Sequence, residues 1–169
     1  MATILVHGAE GAGTTSVVNM LKEPSLPMTK DEKLWGSAVH KLIDQPLKTA
    51  TITEDLNAKN VQLCLWVFSK GRYTLDHQEA YERLAKYKVP IIMVITRCDI
   101  ETNRQDFWNQ NKTFLNNRCP GVIDGIGICS ANAETLGYIN AMVRPVYAQS
   151  RLESVNDLRS KILVNGFEV

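Results

Sequence analysis

Long apolar runs are missing from this chain: no stretch of its 169 residues approaches the roughly 18 that a membrane-spanning helix needs. Charge of one sign is also missing. Lys and Arg number 19 against 18 Asp and Glu, a net charge of +1, so no long-range field recruits nucleic acid or an anionic membrane. The four cysteines (Cys64, Cys98, Cys119 and Cys129) form no C-x-x-C pair and no metal-ligand spacing. Three lie in or beside apolar runs, which reads as reduced core thiols rather than a metal site. Histidine is scarce and scattered, at His7, His40 and His77. No Ser/His/Asp or Cys/His signature and no carboxylate pair is placed for hydrolysis. Repeats, linkers and low-complexity tracts are absent, so residues 1–169 read as one domain.

What is present is a set of short apolar runs. Residues 2–6, 61–68 and 89–95 are rich in β-branched or aromatic residues and bounded by polar, Gly or Pro signals. Such runs suit strands buried on both faces, as in a parallel sheet. A weaker fourth run covers 122–129. Helical patterns lie between them: 74–86, with Leu75, Ala80, Tyr81 and Leu84 on one stripe, and 103–117, with Phe107, Trp108, Phe114 and Leu115. Strands alternating with helices predict an α/β fold of three layers, a mainly parallel sheet with helices on both faces. One antiparallel strand is expected from 37–43 and 47–53, which read as a strand pair. Pro145 is expected to divide the last helical region into 135–143 and 150–163. The stripe Leu152, Val155, Leu158 and Ile162 in the second piece serves either core packing or a partner surface.

The densest signal follows the first strand. Gly8-Ala9-Glu10-Gly11-Ala12-Gly13-Thr14-Thr15 matches the phosphate-cradling pattern G-x-x-x-x-G-K-[ST] except at Thr14, where the lysine should stand. The run from Ser16 then reads as helix. Glycines let the loop curl so that backbone N–H groups point inward, and the helix N-terminus adds partial positive charge. Gly8, Gly11, Ala12, Gly13, Thr14, Thr15 and Ser16 are the candidate phosphate-binding residues, with the Thr15 hydroxyl in the position that would ligate Mg²⁺. Without the ammonium, affinity should fall about tenfold to a hundredfold, and stabilisation of a transferring γ-phosphate should suffer more. Glu10 is an added electrostatic cost unless it points outward.

Two further motifs stand at strand ends. Thr96-Arg97-Cys98-Asp99 follows the run ending at Ile95, and Cys129-Ser130-Ala131-Asn132 follows the fourth run. With the loop, these make the chain resemble the Ras-like superfamily of P-loop GTPases, above all its divergent Era/TrmE-type G domains, across nearly its whole length. Members carry [NT]-K-x-D and S-A-[KL] at these places to read guanine. The resemblance implies a Ras-like G domain that takes GTP or GDP with Mg²⁺. It also implies that Asp99 accepts hydrogen bonds from guanine N1 and N2, with Ser130 and the Ala131 N–H on the other side of the base. Thr96 and Arg97 depart from the pattern, though the Arg97 stem can still cover the base face.

Members also hold magnesium through D-x-x-G after their third strand. No such motif follows the strand expected to end near Thr53, and no glycine lies between Gly36 and Gly71. Glu54 and Asp55 are the nearest carboxylates, and too few residues would remain before Val61 for the usual switch helix. Thr29 is one candidate among several for the switch I threonine. Three functions fit this set. One is a weak guanine-nucleotide binder with slow or absent hydrolysis that acts through protein partners. Another is a pseudo-GTPase scaffold that binds no nucleotide, and the third an active NTPase with unconventional catalytic residues. The chain enters its first strand within two residues of its start, from which no leader and a cytoplasmic location are expected.

Overall fold

Each apolar run becomes a strand. In the computed structural model, residues 2–9, 12–22, 40–46, 61–69, 75–97, 109, 112–113, 116–129 and 141–167 are described. The strands are β1 (Ala2–Gly8), β2 (His40–Pro46), β3 (Leu63–Ser69), β4 (Ile91–Thr96) and β5 (Val122–Gly127). They form one sheet in the order β2-β1-β3-β4-β5, and every neighbouring pair runs parallel. β4 is buried along its whole length and β3 up to Phe68, as continuous apolar strands covered on both faces must be. At the edge, Val122 stands opposite Ile91 and Asp124 opposite Ile92. Ile123 is therefore an extra, bulged residue, and it is exposed.

Among the described residues the helices with defined bounds are α1 (Thr14–Lys22), α2 (Leu75–Ala85) and α3 (Arg144–Val164). On one face Val17, Met20 and Leu21 of α1 and Val155, Leu158 and Ile162 of α3 pack on Ile4, Val6, Leu65, Val94 and Ile126. On the other, Ala80, Tyr81 and Leu84 of α2 pack on Leu5, Cys64, Trp66, Phe68 and Met93. Strand alternation sends successive side chains to opposite helical layers. Trp66 joins Tyr81 and Phe68 in tilted ring contacts at 5.4 and 5.5 Å.

Several expectations change in detail. The segment expected at 37–43 as part of an antiparallel pair is β2, His40–Pro46, and it lies parallel to β1 with Val6 opposite Asp44 and Gly8 opposite Pro46. The helix between β1 and β2 makes the crossover that a parallel pair requires. No antiparallel pairing occurs among the described residues; the expected partner at 47–53 lies outside them. In α2 the inward stripe is His77, Ala80, Tyr81 and Leu84, while Leu75 is exposed. Positions 77, 80, 81 and 84 follow helical spacing, and Leu75 falls off that face. Pro145 stands in the first turn of α3, which starts at Arg144 and not near 150, because there its missing N–H has no acceptor to lose. The described part of 103–117 (109, 112–113 and 116–117) is helical, and 135–140 lies outside the described residues.

Candidate nucleotide-binding site

The first glycine of the loop marks where β1 can no longer carry a side chain. A Cβ on Gly8 would lie 2.3 Å from the Val67 carbonyl oxygen of β3, so only glycine lets the two strands stay paired here. The Ala12 N–H then donates to the Ala9 carbonyl at 3.0 Å, turning the chain back. Gly13 has φ +101°, a conformation that favours glycine, and a Cβ there would meet the Thr96 methyl at 3.2 Å. Its carbonyl accepts the Val17 N–H at 3.0 Å, the first bond of α1. The N–H groups of Thr14, Thr15 and Ser16 precede that bond and point out of the helix end, as first-turn donors do. At this end the dipole is positive.

Thr14, in the lysine position, is buried, and its methyl lies 3.2 Å from where a Gly8 Cβ would be. It folds back onto the root of the loop. Thr15 is exposed at the helix start and Ser16 half-buried. His7, one residue before the loop, is fully buried in β1.

Thr96 joins two distant segments. It ends β4, is buried, and its hydroxyl donates to the Ala12 carbonyl at 2.6 Å, with the Phe68 carbonyl 3.4 Å away. Arg97 follows in a left-handed conformation, φ +63°, and is exposed. The glycine-rich loop and the Thr96-Arg97 turn therefore meet at the carboxyl end of the sheet. In the order β2-β1-β3-β4-β5, the connections leave in opposite directions from β1 and β3. Ligands of open α/β sheets bind outside the carboxyl ends of the strands at such a switch point.

At this level the architecture has known counterparts. No protein-family model matches the sequence, and no curated protein matches it. Among solved structures, translation elongation factor SelB from Methanococcus maripaludis, in its apo form, aligns with TM-score 0.58 and 14% identity. The alignment covers 97% of this chain and 34% of that one, so this chain spans about a third of the SelB chain. The chain shares its fold with part of SelB. Two variants of the protein SsGBP align with TM-scores of 0.48 and 0.47, each at 15% identity, over 90% and 89% of this chain and 57% of theirs.

Of the twelve residues expected at the site, Gly8, Ala12, Gly13, Thr14, Thr15, Ser16, Thr96 and Arg97 are described, and the geometry above brings them together. Gly11, Asp99, Ser130 and Ala131 lie outside the described residues, as do Glu10, Thr29, Glu54 and Asp55. β2 ends with Asp44-Gln45-Pro46, and the residues after Thr53, where the resemblance puts D-x-x-G, lie outside the described residues. One string in the sequence, Asp124-Gly125-Ile126-Gly127, does match D-x-x-G, but it lies within β5. Asp124 there pairs with Lys161 at 2.9 Å and accepts from the Asn165 amide and the Gly125 N–H. Burial pushes its pKa up, and these hydrogen bonds outweigh that and hold it below the ordinary carboxylate value. It serves to tie α3 to β5.

Among the described residues no group of three or more His, Cys, Asp or Glu could hold a metal ion, and no helix is long and apolar enough to cross a membrane.

Proposed function

We propose that this chain binds a guanine nucleotide, GDP or GTP, weakly, hydrolyses GTP slowly or not at all, and acts through protein partners. The observation that carries the reading is the 2.6 Å hydrogen bond from Thr96 to Ala12, which fastens the turn resembling a base-reading motif to the phosphate loop. Two motifs 84 residues apart stand where one nucleotide would touch both. The Gly13 turn and the first-turn N–H groups of α1 would cradle phosphates. Thr96 would act as a clamp on the loop. Arg97, Asp99, Ser130 and Ala131 would bind the base, as the resemblance implies.

Magnesium prefers oxygen ligands. The exposed Thr15 hydroxyl fits that preference, and Glu54 or Asp55 would supply the carboxylate beside the ion. When bound, the ion would neutralise phosphate charge. Thr14 brings no cation to the γ-phosphate, which is why slow or absent turnover is part of the reading.

The burial of Thr14 favours a second reading, a scaffold that binds no nucleotide, because a side chain folded onto the loop root contributes nothing above it. Isothermal titration of the full chain with GDP and with ADP, in the presence of Mg²⁺, separates the two. Binding heat with GDP and at least tenfold weaker binding of ADP is the expected result; no heat with either supports the scaffold.

A further inference from the structure

We propose that Ser154 of α3 is a positioning residue for the base half of the nucleotide site, an inference that rests on the function proposed above. β5 pairs with β4 as far as Gly127, and the next N–H, of Ile128, still donates to the Ile95 carbonyl at 2.8 Å. The Cys129 N–H does not continue the ladder. It donates to Ser154 Oγ at 2.8 Å, and the Ser154 hydroxyl donates onward to the Ser150 carbonyl at 2.7 Å. Cys129 and Ser154 are both fully buried. A second tether runs from the Cys129 thiol to the Tyr147 carbonyl at 3.9 Å.

A serine facing the core of a helix otherwise exchanges packing for polarity, and its hydroxyl is satisfied by the turn before it. Here the hydroxyl has a further use. Its oxygen accepts the Cys129 N–H, where the chain departs from the sheet, and a buried N–H requires such a partner. That fixes where the backbone leaves β5, and Ser130 and Ala131 follow next in sequence. The same helix reaches the phosphate half as well. The buried Arg159 guanidinium donates to the Leu21 carbonyl at 3.3 Å, in the last turn of α1, the helix whose first turn carries Thr14 and Thr15. α3 thus holds both halves of the site from below, and Ser154 is its contact with the base half.

The test compares wild type, Ser154→Ala and Ile162→Val, the last a fully buried α3 residue remote from Cys129 that controls for lost stability. Affinities for GDP and for inorganic pyrophosphate are measured well below each variant's Tm. Ser154→Ala should weaken GDP about tenfold and leave pyrophosphate unchanged, whereas Ile162→Val should leave the ratio of the two as in wild type. An unchanged ratio in Ser154→Ala overturns the proposal. Amide exchange at Cys129, measured without nucleotide, decides it separately: exchange should speed up in Ser154→Ala and not in Ile162→Val, and equal exchange in all three overturns it. If wild type binds no GDP while Cys129 exchange still depends on Ser154, the proposed function fails and Ser154 is left a structural contact, which also overturns this inference.

Discussion

Thr14 exchanges an ammonium on a long stem for a methyl and a hydroxyl, and the methyl settles against Gly8 at the root of the loop. Packing is gained at the position where the resemblance puts a lysine. A charge-assisted hydrogen bond contributes about 1.5–3 kcal/mol, so restoring the cation has a definite consequence. Thr14→Lys should bind GTP about tenfold or more tightly than wild type in equilibrium dialysis, with a smaller gain for GDP. Equal affinities would mean that the loop is not a phosphate site. Gly8 and Gly13 were legible as glycines of such a loop from their spacing alone. Why each must be glycine was not, because the obstacles are Val67 on β3 and Thr96 on β4. The Thr96 hydrogen bond was likewise beyond reach, since no spacing rule connects residues 84 apart.

At the scale of elements, those with strong local signals were read well. β3 and β4 are dense in Val, Ile, Trp and Phe, and a double-sided apolar run has little else it can become. β2 was read three residues too early because HKLIDQP is weak by propensity; its pairing with β1 makes it a strand. In α2 the stripe was drawn through Leu75, and the core position belongs to His77, against Phe68 with ring centroids 5.2 Å apart. Burial pushes the His77 pKa below its ordinary 6.5, and the neighbouring Asp76 pulls the other way. The unfolded chain therefore takes up the proton first as pH falls. Whatever stability neutral His77 confers is full above about pH 6.5 and is lost as pH drops toward the lowered folded value. Thermal melts from pH 7.5 to 5.5 should show a decline in Tm that His77→Phe makes shallower; parallel curves would mean that His77 does not titrate with unfolding.

For the whole molecule, the consequence of the sheet order is where it gathers chemistry. The carboxyl ends of β1, β3 and β4 converge on Gly8, Phe68 and Thr96, and helices on both faces leave that end of the sheet as the meeting point of the loops. The fold class and its layers were legible from alternation of strand and helix, and the likeness to part of SelB agrees with it. The function depends on whether this meeting point takes a nucleotide. The most direct measurement is a proton–nitrogen correlation spectrum of the full chain titrated with GDP in Mg²⁺ buffer, with ADP in parallel. Saturating shifts at the amides of Gly13, Thr14, Thr15 and Arg97 with GDP, and much smaller ones with ADP at equal concentration, are the predicted result. Unmoved amides in the loop at millimolar GDP would contradict the account.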